Sequence, residues 1–238
     1  MSSACAADGP GRAPRAYGPE YYYGETLPAI WTGYYLGAYG GYSGGRDAVR
    51  DNSAVPYDAP SANSFNLHDG GYTVGGVLGY NYQIDSLVLG VEGDVGVASF
   101  SKSGIAGNAV AGDVRAGVHA DFIATLRPRI GVAFDQALIY GTAGLAIANL
   151  STSINDSCTV GRCNPNTISA GNDTIKLGYA VGAGLEYMFS RHWTTKVEFI
   201  HTVFDGIKTS GVGANGNSYA WNHDVREEAV RAGVNYKF

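Results

Sequence analysis

The last nine residues of the chain, Val230-Arg231-Ala232-Gly233-Val234-Asn235-Tyr236-Lys237-Phe238, alternate without a break. Val230, Ala232, Val234, Tyr236 and Phe238 fall on one face, and Arg231, Gly233, Asn235 and Lys237 on the other. A side-chain period of two means a β-strand lying between two unlike environments. Half-buried strands of soluble sheets share that alternation. The aromatic pair that closes the apolar face narrows the choice, because strands of membrane-spanning barrels alternate apolar outward and polar inward, with aromatic girdles at both water boundaries.

Seven further stretches read as strands. Residues 31–43 put Tyr34, Leu36 and Ala38 on one face, and residues 71–84 do the same with Tyr72, Val74, Leu78, Tyr80, Tyr82 and Ile84. Residues 87–99 set Leu89, Val91 and Val95 against Glu92 and Asp94; residues 120–134 set Leu126, Ile130 and Val132 against Thr125, Arg127 and Arg129. Residues 175–189 set Leu177, Tyr179, Leu185 and Tyr187 against Lys176 and Glu186, and residues 192–204 set Trp193, Val197 and Phe199 against Lys196 and Glu198. Residues 138–149 are apolar on both faces, which leaves their register open. The connections alternate in length. Asp85-Ser86, Asp135-Gln136 and Ser190-Arg191 are short, whereas residues 44–70, 100–119, 150–174 and 205–225 are long and rich in Gly, Asn, Ser and Asp. The pattern predicts an all-β fold: an eight-stranded antiparallel up-and-down transmembrane β-barrel over residues 31–238, with four long extracellular loops and short periplasmic turns.

Composition agrees with that reading. Only 16% of the 238 residues are charged, and the mean hydropathy is near zero at -0.07. That balance suits a wall whose apolar residues are diluted one to one by polar or small ones. The formal net charge of -5 argues against a nucleic-acid partner. No run approaches the ~18 apolar residues of a helical span, and a barrel strand needs only ~10. Residues 1–19 carry Arg12 and Arg15 but no apolar core, so no signal peptide is recognisable there. Residues 1–30, rich in Gly, Pro and Ala, are expected to form a disordered N-terminal segment.

The polar face of the strands carries Glu92, Asp94, Arg127, Arg129, Lys176, Glu186, Lys196, Glu198, Arg231 and Lys237. Eight strands leave an interior that side chains nearly fill. Charges there must pair, since removing one partner of a buried ion pair costs ~3–5 kcal/mol. The expected pairs are Glu92 and Asp94 with Arg127 and Arg129, and Glu186 with Lys196 across the next hairpin. Gly75, Gly90, Gly131, Gly182 and Gly184 are expected to make room for the long side chains. Each acid has a basic neighbour and no nucleophile stands beside a histidine, so the set reads as structural and no catalytic residue is assigned. His68, His119, His192, His201 and His223 lack ligand spacing, so neither metal nor cofactor is expected. Cys158 and Cys163, five residues apart in a Gly/Asn/Pro-rich stretch, are placed to close a loop disulfide in an oxidising compartment. Tyr34, Tyr35, Tyr72, Tyr80, Tyr82, Tyr187 and Tyr236, with Trp31 and Trp193, are expected at the membrane interfaces.

Several segments together resemble a known family. They are Trp31-Thr32-Gly33-Tyr34-Tyr35-Leu36-Gly37, Gly79-Tyr80-Asn81-Tyr82-Gln83, Gly90-Val91-Glu92-Gly93-Asp94, Arg127-Pro128-Arg129-Ile130-Gly131, Val181-Gly182-Ala183-Gly184-Leu185-Glu186-Tyr187, Lys196-Val197-Glu198-Phe199 and the terminal Gly233 to Phe238. The chain resembles the small opacity-type outer-membrane β-barrel (porin family) proteins of alphaproteobacteria over residues 31–238. Pro128 stands where that family usually has Gly in an Arg-Gly-Arg motif, and a proline that cannot donate to the ladder predicts a bulge there. The end on Val234, Tyr236 and Phe238 resembles the assembly signal of such barrels, which implies the barrel-assembly machinery as a partner. The resemblance further implies a location in the Gram-negative outer membrane, with surrounding lipid and lipopolysaccharide as partners and host or cell-surface ligands met through the loops. The expected function is a non-enzymatic structural or surface-interaction role. A passive channel for ions or small solutes is the alternative, and it needs a continuous wet path through the charged interior. A soluble ligand-binding barrel is a third reading, and it needs an apolar interior where parity puts charges.

Overall fold

The computed structural model describes residues 29–52, 64–99, 101–105, 114–156, 168–213 and 216–238. Among them are nine strands: β1 (Gly33–Asp51), β2 (Ser64–Ile84), β3 (Leu87–Ser99), β4 (Ser101–Ile105), β5 (Val114–Phe134), β6 (Ala137–Asp156), β7 (Ile168–Ser190), β8 (Trp193–Val212) and β9 (Ser218–Lys237). Every pairing is antiparallel between neighbours, β3 and β4 both pair with β5, and β1 pairs with β9. β3 and β4 therefore make one stave, and eight staves close into a ring without an edge. Closure answers the hardest constraint in lipid, where an unpaired backbone N–H or C=O costs several kcal/mol.

Parity decides which way each side chain points. On β9 the burial alternates through the whole strand, with Arg231, Gly233 and Asn235 inside and Val230, Val234 and Tyr236 outside. Leu36, Leu78, Val95, Leu126, Ile130, Leu145, Leu177, Leu185 and Val197 also face outward and are at least half exposed. The register of β6, open in the sequence, is settled: Leu138, Tyr140, Thr142, Ala146, Ala148 and Leu150 point in, and Ile139, Leu145 and Ile147 point out.

Several expectations need correction. The strands are 19 to 23 residues long on the seven staves other than β3–β4. Much of what reads as loop in residues 44–70, 150–174 and 205–225 is therefore strand. In the extensions of β8 and β9 the apolar face changes sides: Ile207, Tyr219, Trp221 and Val225 point inward and are buried, and polar residues face out. The third turn is Arg191-His192 instead of Ser190-Arg191, one residue later, beside a register shift between Met188 and Ser190. The turns at Asp85 and Asp135 stand as expected, each aspartate at positive φ (52° and 50°), a conformation Asp tolerates in tight hairpins. Pro128 carries no bulge. The pairings Leu126↔Leu145 and Arg129↔Thr142 keep one register across it, and the β5 shift lies between Ala120 and Phe122. The β5–β6 ladder skips Arg127 and Pro128, and the proline carbonyl accepts from Thr142 Oγ1 at 2.9 Å.

Leu78 lies midway along the outward face of β2 and is 58% exposed. Leu78→Arg is expected to lower the stability of the inserted barrel by ~2–4 kcal/mol. The measurement is the fraction of heat-modifiable protein recovered in the outer-membrane fraction, compared with the wild type.

Candidate functional site in the barrel lumen

The inward side chains form three layers. At the end of the short turns, Trp31 packs with Val88, Ala133, Leu138, Tyr140 and Met188, and Ile30 covers them. Trp31 donates its backbone N–H to Gln83 Oε1 at 2.9 Å and its indole N–H to the Asp135 carbonyl at 3.2 Å. At the loop end, Ile123, Ala146, Ala148, Leu150, Ala180, Ile200, Phe204, Ile207 and Val225 make a second apolar cluster. The charged residues lie between the two.

Glu92 is the hub. Its Oε1 accepts from Arg127 Nη2 at 3.0 Å and Lys196 Nζ at 2.8 Å, and its Oε2 accepts from the Tyr35 hydroxyl at 2.8 Å and Arg129 Nη1 at 3.4 Å. Asp94 takes Arg231 Nη1 and Arg127 Nη2, both at 3.0 Å, and accepts from Tyr39 and Thr125. Glu198 takes Arg127 Nη1 at 3.1 Å and Tyr140 at 3.4 Å. Glu186 takes Arg129 Nη1 at 3.0 Å, Thr194 Oγ1 at 2.5 Å and Asn235 Nδ2 at 2.9 Å. Arg129 lies between the rings of Tyr35 and Tyr140, 4.8 and 4.9 Å from their centroids, and Arg231 stacks over Tyr39 at 4.6 Å. Four carboxylates thus meet four cations, and all eight side chains are buried. Burial of such a set is tolerable only because each charge is matched and hydrogen-bonded.

Eight of the ten ionisable residues marked in the sequence meet in this layer. Lys176 does not. It is inward by parity but lies ~34 Å along β7 from Glu186, and its Nζ donates to the Gly206 carbonyl at 3.0 Å. Lys237 is half-buried at the turn end. The pairing also differs from expectation. Glu186 and Lys196 are opposite in register, yet Glu186 reaches Arg129 and Lys196 reaches Glu92. Ion pairs form across the lumen as readily as along the wall, because the interior is only about one side chain wide.

Sequence reasoning missed Tyr35, Tyr39, Tyr140, Asn81, Thr125, Thr194 and Asn235 as members of the layer. Tyr35 was expected at the membrane interface and is 3% exposed, and Trp31 likewise is 1% exposed. Parity held the signal, since both lie opposite Tyr34 and Leu36. Glycines make the space. A Cβ at Gly79 would collide with the Tyr35 ring, and one at Gly184 with the Tyr140 ring. Gly75 likewise faces Tyr39, and Gly90 faces Asn81 and the Arg129 stem. Glu227 and His223 are also buried on the inward face of β9.

On the outer wall, Val234, Tyr236 and Phe238 face away from the lumen. Tyr236 contacts Phe238 and Trp193 edge-on, at 5.3 and 5.1 Å, and stacks on His192 at 5.7 Å. Cys158 and Cys163 lie outside the described residues, as do residues 1–28. Among the described residues no group of three His, Cys, Asp or Glu could hold a metal ion.

A closed eight-stave ring with an apolar outer wall and a charged interior can be compared with known proteins. The family described as "outer membrane protein beta-barrel domain" matches residues 27–238. This chain belongs to that family. It is 33% identical over 215 residues to a 31 kDa outer-membrane immunogenic protein of Brucella melitensis, covering 87% of this chain and 84% of that protein. It is 28% identical over 210 residues to a 22 kDa outer membrane protein of Rhizobium leguminosarum, covering 87% and 78%. Both organisms are alphaproteobacteria, as the sequence resemblance implied. Among solved structures, the outer membrane protein OprG from Pseudomonas aeruginosa has a similar fold, with a TM-score of 0.54 at 15% identity over 87% of this chain and 96% of that one. The chain is therefore an outer-membrane β-barrel protein.

The hub yields a stability prediction. Glu92→Gln leaves Arg127, Arg129 and Lys196 short of a negative partner and is expected to cost ~3–5 kcal/mol. Lys176→Gln, outside the layer, is expected to cost less than about 0.5 kcal/mol. Urea midpoints for loss of the heat-modifiable form compare the two.

Proposed function

We propose that this protein is a closed, non-enzymatic barrel that braces the outer membrane and presents its loop segments at the cell surface. One observation carries the reading: the lumen is blocked three times over. A charge-matched layer, buried to within a few percent, lies between an apolar plug under Trp31 and an apolar cluster around Phe204. A conducting barrel needs a wet path from end to end. Here each charge in the path is held by protein partners, and the two apolar layers offer an ion no ligands.

The other assignments follow from the outer wall. Lipid and lipopolysaccharide surround the apolar belt. Val234, Tyr236 and Phe238, presented on the outward face of the closing strand, serve as the assembly signal read by the barrel-assembly machinery. The relatives named as immunogenic support a role for the surface-exposed end, where host or cell-surface ligands are met through the loops.

Purified protein reconstituted in a planar bilayer is expected to leave the current at baseline at both polarities. Steady ohmic steps that scale with protein concentration would overturn the closed-barrel reading in favour of the passive channel.

A further inference from the structure

Two ladders of the ring stop short at the loop end. β7 and β8 pair from Ser190↔Trp193 up to Tyr179↔Val203 and no further, although β7 begins at Ile168 and β8 runs on to Val212. β2 and β3 pair up to Tyr72↔Ser99, and among the described residues β2 has no ladder partner in β4 over residues 64–71. The remaining ladders continue upward. The loop end is therefore two four-stranded sheets, β2-β1-β9-β8 and β4-β5-β6-β7, that meet at two seams.

At the β7–β8 seam, side chains stand where the ladder ends. Lys176 Nζ donates to the Gly206 carbonyl and Asn172 Nδ2 to the Lys208 carbonyl, both at 3.0 Å and both exposed to water. The two acceptors lie two residues apart on β8, so its main-chain carbonyls point into the seam at a spacing of ~6.8 Å. A bulge accounts for the parting. The β8–β9 register shifts between Phe204 and Ile207, just beyond the last rung at Val203, and Gly206 sits at φ 68°. An extra residue bends the strand that holds it, and here it carries β8 with its partner β9 and away from β7.

The β7 side of the seam is apolar on its outward face. Ile175 and Leu177 are 63% and 66% exposed. At ~3.4 Å per residue and a tilt of ~40°, an apolar band ~25 Å tall counted up from Phe189 ends near Tyr179. Ile175 and Leu177 thus stand clear of the lipid, beside an unpaired strand edge. The same face carries Asp173, Asp205 and Lys208, all exposed, so no one sign of charge dominates it. On the inward face Lys176 makes no ion pair among the described residues, and its ammonium is held by the Gly206 carbonyl. An unpaired edge is a template for another strand. Carbonyls repeating at ~6.8 Å are matched by the alternate N–H groups of an extended chain. A lipid headgroup or a small solute offers no such series of donors.

We propose that the β7–β8 seam takes up an extended peptide segment of another protein by strand addition, a segment in which apolar and acidic residues alternate. Alternate N–H groups of the segment donate to the Gly206 and Lys208 carbonyls and displace the side chains of Lys176 and Asn172. Its apolar side chains cover Ile175 and Leu177 on the outward face. Its carboxylates, on the other face, meet the released Lys176 ammonium. The inference rests on the reading of the loop end as the surface that meets ligands, and it names the kind of partner and the strands that receive it.

The test uses the full chain refolded in detergent micelles. It is titrated with a synthetic peptide of alternating valine and glutamate, about nine residues long so as to span the seam. Three control peptides accompany it: one with the same residues in two blocks, one N-methylated along its whole backbone, and one of alternating valine and lysine. The alternating glutamate peptide is expected to bind saturably and to slow amide exchange in residues 206–210, and the block and N-methylated peptides to do neither. Leu177→Ser is expected to weaken it about tenfold. Lys176→Glu is expected to weaken it to a similar degree and to favour the lysine peptide instead. Equal binding of the block or N-methylated peptide would overturn the site, as would unchanged affinity in both variants or unchanged exchange in residues 206–210 at saturating peptide. Heat-modifiable mobility is measured on every variant. Loss of that shift in the wild type would strike the barrel reading itself, whereas a retained shift with no slowed exchange strikes only the seam.

Discussion

A carboxylate withdrawn from water destabilises a protein by several kcal/mol unless its charge is matched and its oxygens are filled. Glu92 meets that demand with two guanidiniums, one ammonium and one phenol, supplied by β5, β8 and β1 to a residue on β3. Asp94 adds Arg231 from β9, and Arg129 links the hub to Glu186 on β7. No hairpin contains a complete set of partners. The layer is satisfied only when the ring has closed, so the same interactions that neutralise the interior also favour one closed arrangement over partly assembled ones.

The outer wall and the lumen impose separate rules on alternate residues. Outside, lipid requires apolar side chains over a limited height and aromatic rings near the periplasmic rim, as in the contacts of Tyr236 with Trp193 and Phe238. Inside, a bore about one side chain wide requires that each bulky group face a small one. That is why glycines recur opposite Tyr35, Tyr39 and Tyr140. The bulges at Asp121 and at Asp205-Gly206 are the points where the two rules change partners, since one extra residue turns every later side chain to the other face.

Much of this is legible in the chain. Alternation along β2, β3, β5, β7, β8 and β9 marks the lipid face and places Glu92, Arg127, Arg129, Glu186, Lys196, Glu198 and Arg231 together on the other. The same parity, applied to residues 31–43, would have sent Tyr35 and Tyr39 inward; tyrosine's preference for membrane interfaces drew Tyr35 to the wrong side. β6 could not be read because small apolar residues suit both faces. The strand extensions of β8 and β9 were illegible for a different reason: there the larger apolar side chains, Ile207, Tyr219, Trp221 and Val225, turn inward and the outward positions are polar, the reverse of the pattern that marks the lipid face.

The sequence by itself determined the architecture, because a period of two with apolar and aromatic residues on one face admits few folds, and short and long connections in turn admit one direction of winding. It determined too which charges share the interior. Only the tertiary structure decided which of them meet. Glu186 faces Lys196 along the ladder and bonds Arg129 instead; Lys176 shares the inward parity and lies far from every carboxylate of the layer. Partners are chosen across the lumen, where strand tilt and stagger set the heights at which side chains from distant strands arrive, and parity along one strand carries no information about height on another.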